Sequence, residues 1–598
     1  MFDLLTSKNK NSLFAYLLFA VPIIICFAII VFIGKASLSG YKNIILKDID
    51  SAGQSITQPI AQLKPITPNV VLIIIDGLSN FDAEKLEFLK NLKNTAAFSS
   101  FEAQSPTLSL CSWSIFLTGS SADEQGIFFP KALTEMKVGL FSNIISIASK
   151  YGLKTAIFGH KYWESLAGSF ADFKYFEDFL ISNSNIMKID ENVLAAAYEC
   201  LLNNKPNLSI IHLPGLDKTS HLFGRGSAEF KMHTEKISAM LESFFKSGII
   251  DNSCVFLAAD HGHIQTGGHG GSEPEVRTVP IYVIDKNVNK NSLRNYKVNH
   301  KDIAPLISAV LGIPFPLFNH GTFITELFKI DIARKIEIME KLIEQKSLFY
   351  AKYNFYAGFK DIKLFNYKAI IEDINKFPGE SRDSSEILAA LKTYESRLDL
   401  EFINIKDSIV SADRLYRLFI AAPLIALLFI YLIYISGRTF YIFNAIMQVF
   451  LFYLLYYSIY FYHGFSFSLS DFNFAENLGP FIADRRIEII IAYLLSFIPI
   501  MSNYFLIQKS LKTWQNYVFY PVFIKFNIYL VFTLVCQCLY YIVLYGIKMT
   551  YIVPDMNMAV KYYLDFNLMV TTQAAAVVIF FASYFFLKTF AGKKLFAD

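Results

Sequence analysis

The chain is 598 residues long, 54% hydrophobic and only 18% charged, which excludes an ordinary soluble protein. Its formal net charge is +4, and no basic cluster interleaved with aromatics points to nucleic acid as a partner. Six cysteines, none in CxxC spacing, argue against a disulfide framework or a zinc–thiolate centre.

Residues 14–34 form a continuous apolar run, and a bilayer span takes about 20 residues. No small-residue cleavage site follows, so residues 1–35 are read as a cytoplasmic tail and an uncleaved anchor. Residues 36–67 lack periodicity and read as a linker. Residues 69–77 then give a fully apolar strand that ends on Asp76. Similar runs at 155–159, 208–213, 254–259 and 281–284 predict further strands, and 141–150, 191–202 and 232–245 predict helices between them. Continuous Val/Ile runs suit a parallel sheet covered on both faces, so 68–329 is expected to be a doubly wound α/β domain. Residues 330–417 are charged, aromatic and helical in pattern, a connector that either docks the α/β domain on the membrane or merely links it. Residues 418–598 are expected to be an all-α membrane domain with spans at 418–436, 440–462, 489–507, 526–545 and 566–587.

The distribution of charge orients these spans. Lys8 and Lys10 precede the first, and threading the rest puts Arg438, Lys509, Lys512, Lys588, Lys593 and Lys594 in the cytoplasm as well. The acidic loop with Asp471, Glu476 and Asp484 falls outside, although Arg485 and Arg486 lie on the less favoured side. The α/β domain is therefore expected outside the cytoplasm.

Chemistry-bearing residues cluster after the apolar strands. Asp76 closes the first. Ser105, Thr107, Ser109 and Ser112 crowd the entry to an apolar helix, either as caps or as hydroxyls facing an anion over a helix N-terminus. Asp217 and His221 stand four apart, either a cap with an exposed imidazole or one helix face gripping a cation. Asp260 and His261 end the strand at 254–259, with His263 close by and His269 on a glycine-rich loop. Each acidic position follows closely on an apolar strand. Together they supply oxygen and nitrogen ligands for two zinc-like ions with a hydroxyl nucleophile between them.

This ordered set resembles the alkaline phosphatase superfamily, in the branch of nucleotide pyrophosphatase/phosphodiesterases and GPI ethanolamine phosphate transferases. Ser105-Pro106-Thr107-Leu108-Ser109 with Thr118-Gly119 is similar to its nucleophile segment, with Ser109 where the family carries its attacking threonine. His212-Leu213-Pro214-Gly215-Leu216-Asp217 with His221, His269-Gly270-Gly271-Ser272-Glu273-Pro274-Glu275, and the stretch from Asp302 through Asn319-His320-Gly321 resemble the transferases in particular. The resemblance covers roughly residues 68–325 and matches one anchor, an outer catalytic domain and a polytopic C-terminus. It departs at Gly159-His160-Lys161-Tyr162-Trp163, where the family tends to carry acidic residues before the tryptophan, and in having fewer C-terminal spans.

The resemblance implies one zinc held by Asp217, His221 and His269, and another by Asp76, Asp260, His261 and the Ser109 oxygen, with Mn2+ or another divalent metal as the alternative. It implies transfer of phosphoethanolamine from phosphatidylethanolamine, through Ser109, to a mannose hydroxyl of a GPI precursor or related glycolipid. The expected location is the endoplasmic reticulum membrane with a lumenal catalytic domain, or alternatively a bacterial inner membrane with a periplasmic one. The need for a partner membrane subunit stays open. A phosphodiesterase or phosphatase that gives the same intermediate to water is the rival reading, because the metal core is shared. A sulfatase is disfavoured because Cys111 lacks the Pro and Arg context of such enzymes. An inactive scaffold is disfavoured because no ligand is missing.

Overall fold

The computed structural model describes residues 63–125, 127, 142–178, 186–294, 296–356, 383–436, 439–472, 478–499, 502, 520–546 and 556–593. The expected anchor at 14–34 and most of the linker lie outside the described residues. So do Lys8, Lys10, Arg438, Glu476, Lys509, Lys512 and Lys594.

Strand β1 (Val70–Ile75) is six consecutive aliphatic residues, every one buried. Such a strand has no polar face to give to water, so it must sit centrally with cover on both sides. It does. Strands β2 (Ala97–Glu102), β3 (Thr155–His160), β4 (Phe173–Glu177), β5 (Leu208–Leu213), β6 (Cys254–Ala259) and β7 (Thr278–Ile284) complete a sheet in the order β2-β7-β6-β1-β5-β3-β4. β1 pairs in parallel with β5 and β6, and β3 with β5 and β4.

The sheet is mixed. β7, expected from residues 281–284, runs antiparallel to both β6 and β2. Between β6 and β7 the chain makes a glycine-rich loop and one short helical turn, Pro274–Arg277. This connection holds no helix long enough to pack across a face of the sheet as a parallel crossover usually does, and the strand comes back reversed. The two edge strands, β2 (AFSSFE) and β4 (FKYFE), carry polar and charged residues among their aromatics and do not stand out as apolar runs.

Helices α1 (Ser109–Thr118), α2 (Ile144–Lys150), α3 (Ile186–Asn203), α4 (Gly215–Phe223), α5 (Ala228–Lys246) and α6 (Ile303–Leu311) accompany the sheet. The expected helix at 141–150 starts at Ile144 because the Asn143 side chain accepts from Ser146 N and the Ser146 hydroxyl returns the bond, a capping box.

The connector is two helices, α7 (Ile332–Tyr356) and the first part of the 53-residue α8 (Ser384–Ser436). Both join the core of the α/β domain through Leu342, Phe349, Tyr350, Leu398 and Phe402. A buried ammonium pins them together: Lys346 Nζ lies 2.7 Å from Glu395 and 2.8 Å from Asp399. The Tyr350 and Phe402 rings stack at 4.2 Å.

Helix α8 ends in the apolar stretch expected as a span, with Phe419, Ile420, Phe429 and Ile433 exposed. It is followed by α9 (Thr439–Tyr462), α10 (Leu478–Leu495), α11 (Tyr520–Tyr545) and α12 (Met556–Lys593). Among the described residues, three segments are long and apolar enough to cross a membrane: Ile442–Tyr462, Val522–Tyr545 and Val560–Ser583. The expected span at 489–507 falls only partly in the described residues. Phe452, Tyr493, Phe526 and Leu568 form the bundle's own core, one from each of α9 to α12.

Candidate metal centre

Three neighbouring strands bring the carboxylates together. In the order β6-β1-β5, each strand ends at the same edge of the sheet. Asp260 follows β6 directly, Asp76 follows β1, and Asp217 sits in the first turn of α4 just after β5. Chain ends of this kind are where open α/β sheets bind ligands. The turn after β1 demands Gly77: its φ is +79°, and a Cβ there would stand 2.3 Å from the His263 ring.

Asp260 is fully buried and accepts three hydrogen bonds, from Gly77 N (3.1 Å), His261 N (2.9 Å) and Trp113 Nε1 (2.9 Å). Asp76 accepts from His212 Nε2 at 2.9 Å. His212 takes the His160 N–H on Nδ1 at 3.4 Å, so its proton is on Nε2 and points at the carboxylate. Burial pushes His212 down to about 3, which keeps that imidazole neutral. The other oxygen of Asp76, Oδ1, is buried with no hydrogen-bond partner and lies 3.3 Å from His261 Nε2. Burial, with Asp260 and Asp217 nearby, holds the Asp76 carboxyl well above the usual carboxylate range.

The histidines are oriented by backbone carbonyls. Nδ1 of His261 lies 3.2 Å from Gly262 O, Nδ1 of His263 3.1 Å from Gly77 O, and Nδ1 of His269 2.9 Å from Thr107 O. A carbonyl only accepts, so each Nδ1 carries the proton. Burial lowers His263 and His269, which favours their neutral forms. In a neutral ring each Nε2 then presents a bare lone pair.

These lone pairs converge on other lone pairs. His263 Nε2 is 2.9 Å from Asp217 Oδ1, and His269 Nε2 is 3.6 Å from the same oxygen. His221 Nε2 stands 3.3 Å from Asp217 Oδ1 and 3.2 Å from His269 Nε2. Acceptors this close, with no proton between several of them, repel unless a cation sits among them. Outer partners that hold an imidazole by its far nitrogen are also the usual support of a metal ligand. The donor set of nitrogen and carboxylate oxygen without thiolate fits zinc or a similar divalent ion. Among the described residues two groups meet this geometry: Asp217, His261, His263 and His269, and Asp76, Asp260 and His261.

The structure brings the seven residues expected from the sequence close together: five fall in these groups, His221 adjoins the first through Asp217 and His269, and Ser109 reaches His261. His263 and His212 are the additions. His263 follows His261 by two residues, so the signal was present in the DHGH run. His212 lies in β5, a fully buried strand of mainly aliphatic residues that also holds Ser209, where a buried polar side chain reads as core.

Ser109 opens α1, at the end of the helix where N–H groups lack intrahelical partners and the dipole is positive. Its Oγ lies 3.0 Å from His261 Nε2 and, facing a bare nitrogen, donates to it. Thr107 is different. It is fully buried, its hydroxyl donates to Gly271 O (2.8 Å) and accepts from Gly270 N (3.1 Å), and its carbonyl orients His269. Thr107 holds the loop, and Ser109 faces the centre.

The sheet, the strand-end carboxylates and the histidine loop make a mixed α/β domain with a candidate metal site, followed by a helical region with membrane-length helices. Several proteins are similar to this chain over part of its length. The human GPI ethanolamine phosphate transferase 2 catalytic subunit is 25% identical over 279 residues, covering 44% of this chain and 28% of that protein. The Schizosaccharomyces pombe GPI ethanolamine phosphate transferase 2 is 23% identical over 333 residues, covering 49% of this chain and 43% of its own length. The human GPI ethanolamine phosphate transferase 3 catalytic subunit is 22% identical over 297 residues, 48% of this chain and 26% of that one. The chain thus spans less than half the length of these relatives. Among solved structures, a lipoteichoic acid synthase from Listeria monocytogenes is similar at a TM-score of 0.34 and 14% identity, over 45% of this chain and 79% of that one. No family model matches the chain.

Proposed function

We propose that this chain is a membrane-bound phosphoethanolamine transferase that takes its group from phosphatidylethanolamine and gives it to a sugar hydroxyl, a mannose of a GPI precursor or related glycolipid. The observation that carries this is the Ser109 hydroxyl, 3.0 Å from His261 Nε2, at a helix N-terminus beside two clusters of metal-ligand geometry. The curated relatives' names supply the substrate class.

In this reading Asp217, His221, His263 and His269 would hold one divalent ion and Asp76, Asp260, His261 and the Ser109 oxygen would hold another, zinc being the proposed metal. A divalent ion bound there supplies Lewis acidity, lowering the pKa of a hydroxyl and offsetting charge on the phosphoryl oxygens. Ser109 Oγ bonds to phosphorus as the bond to the diacylglycerol oxygen breaks, and that oxygen leaves as the alcohol after taking a proton. The acceptor hydroxyl then attacks phosphorus, the Ser109 Oγ–P bond breaks and the serine regains a proton. The free N–H groups at the start of α1 face the phosphoryl oxygens in both steps.

The proposed location is the endoplasmic reticulum membrane with the α/β domain lumenal, the bacterial inner membrane being the alternative. The two human relatives are named catalytic subunits, which makes a partner membrane subunit part of the proposal. The test is reconstitution of the full chain with phosphatidylethanolamine labelled in the ethanolamine, with and without a mannose-bearing glycolipid. A labelled Ser109 peptide and a labelled glycolipid are expected. Label released only as free phosphoethanolamine, acceptor present or not, makes the chain a hydrolase instead.

A further inference from the structure

Arg485 on α10, just before the expected span at 489–507, is buried in the helical bundle at 5% exposure, yet its Nε and Nη1 have no hydrogen-bond partner among the described residues. Its Nη2 donates to Glu488 Oε1 at 2.5 Å, and His463 Nε2 stands 3.4 Å from that same oxygen. The other carboxylate oxygen, Glu488 Oε2, is also buried and unpartnered. The guanidinium lies over the Phe465 and Phe481 rings, 4.4 and 4.8 Å from their centroids. A buried ion pair that leaves two cationic donors and an anionic acceptor unmade is costly.

The unmade bonds have both signs. A simple anion satisfies Arg485 and leaves Glu488 Oε2 bare, and a simple cation does the reverse. A zwitterion satisfies both. Phosphate suits the guanidinium donors, and an ammonium with N–H groups suits the carboxylate. The location is also apt. Phe465 opens the α9–α10 loop, and five residues on, at most about 18 Å of extended chain, Ser470 hydrogen-bonds Gly271 in the loop that carries His269.

We infer that Arg485 and Glu488 form a subsite for the headgroup of a zwitterionic phospholipid, with phosphate on Arg485 and a primary ammonium on Glu488. This rests on the proposed function only in calling that lipid the donor.

The test is native mass spectrometry of the full chain released from nanodiscs of equal phosphatidylethanolamine and phosphatidylglycerol. Wild type is expected to retain phosphatidylethanolamine over phosphatidylglycerol by about tenfold. The double variant Arg485→Leu/Glu488→Leu removes both charges together, leaves none unpaired, and is expected to fold with its thermal midpoint kept. It should show no headgroup preference. Glu488→Gln should retain both lipids alike. Equal retention by wild type, or an undiminished preference in the double variant, overturns the subsite. Soluble phosphoethanolamine at millimolar concentration should fail to displace the lipid, and full displacement overturns the assignment to a membrane lipid. Selective retention without any transfer leaves the subsite standing and removes the proposed function. Transfer by the double variant at wild-type KM for phosphatidylethanolamine does the opposite.

Discussion

The Ser470 hydroxyl accepts the Gly271 N–H at 3.1 Å and donates to Glu273 at 2.9 Å, tying the α9–α10 loop to the glycine-rich loop of the candidate metal centre. The approach is close enough that a Cβ on Gly268 would lie 1.8 Å from Ser470 O. Asp471 braces the contact by accepting from Ser466 N and Ser468 N. The bundle and the centre therefore share one seam. Ser470→Ala is expected to leave the Gly271 N–H unpaired, at about 1–3 kcal/mol, and to slow turnover of phosphatidylethanolamine by up to about tenfold while metal content is kept. Turnover together with metal analysis of the same sample checks this, and loss of metal from the variant would show that the loop is a ligand support instead.

Ser109 and Thr107 are expected to separate cleanly. Ser109→Ala should lose transfer by roughly a thousandfold or more, as when a nucleophile is deleted and binding groups remain, with little change in thermal stability. Thr107→Ala removes a buried hydroxyl that satisfies Gly270 N, so it should destabilise by about 1–3 kcal/mol and still form the labelled Ser109 peptide. Thermal midpoints and peptide mass spectrometry read the two effects. A labelled peptide absent from Thr107→Ala and present in Ser109→Ala would reverse the roles.

Metal analysis tests the lone-pair argument. The purified chain is expected to carry zinc or a similar divalent ion, and chelation should lower its thermal midpoint, because an ion bound only by the native state stabilises it. His263→Ala removes an Nε2 that lies 2.9 Å from Asp217 Oδ1, and metal affinity should fall by at least about tenfold. A wild-type chain free of divalent metal, or a His263→Ala variant with unchanged affinity, would defeat this part of the site.

Lys346 governs the join between the two connector helices. Its ammonium is buried between Glu395 and Asp399, and although burial alone would lower its pKa, the two carboxylates outweigh it and hold it above the ordinary value. A raised pKa of this kind stabilises the fold fully below the ordinary lysine value of about 10.4, and the contribution is lost only as pH rises through the still higher folded value. Lys346→Met is therefore expected to cost about 3–5 kcal/mol at neutral pH by stranding Glu395. Melting curves from pH 7 to 9 should show that deficit unchanged, and a deficit that disappears across this range would contradict the charge assignment.

Much of this protein was legible as runs and endings. Five strands and three helices of the α/β domain were readable because an aliphatic run such as Val70–Ile75 has one physical solution, burial on both faces. The carboxylates were readable because Asp76 and Asp260 break such runs at their C-terminal ends, where open α/β sheets place ligands, although both side chains are buried. Edge strands β2 and β4 were not readable, since serine, lysine and glutamate in them reflect exposure to water instead of their pairing.

The chain order by itself determined the fold class, the strand-end carboxylates and the paired imidazoles, because these follow from local hydrophobicity and short spacing. It could not determine that β7 runs antiparallel, that His212 orients Asp76 or that His263 faces Asp217, because each depends on which strands become neighbours. Spacing alone did not separate Ser109 from Thr107, and the choice of Ser109 rested on the resemblance. Both are hydroxyls two residues apart, and only the helix start at Ser109, with His261 beyond it, turns one toward the centre and buries the other in the loop. The contact of Ser470 with Gly271 joins residues 199 apart in the chain. No local pattern encodes such a pair, and packing of the bundle against the α/β domain alone brings it about.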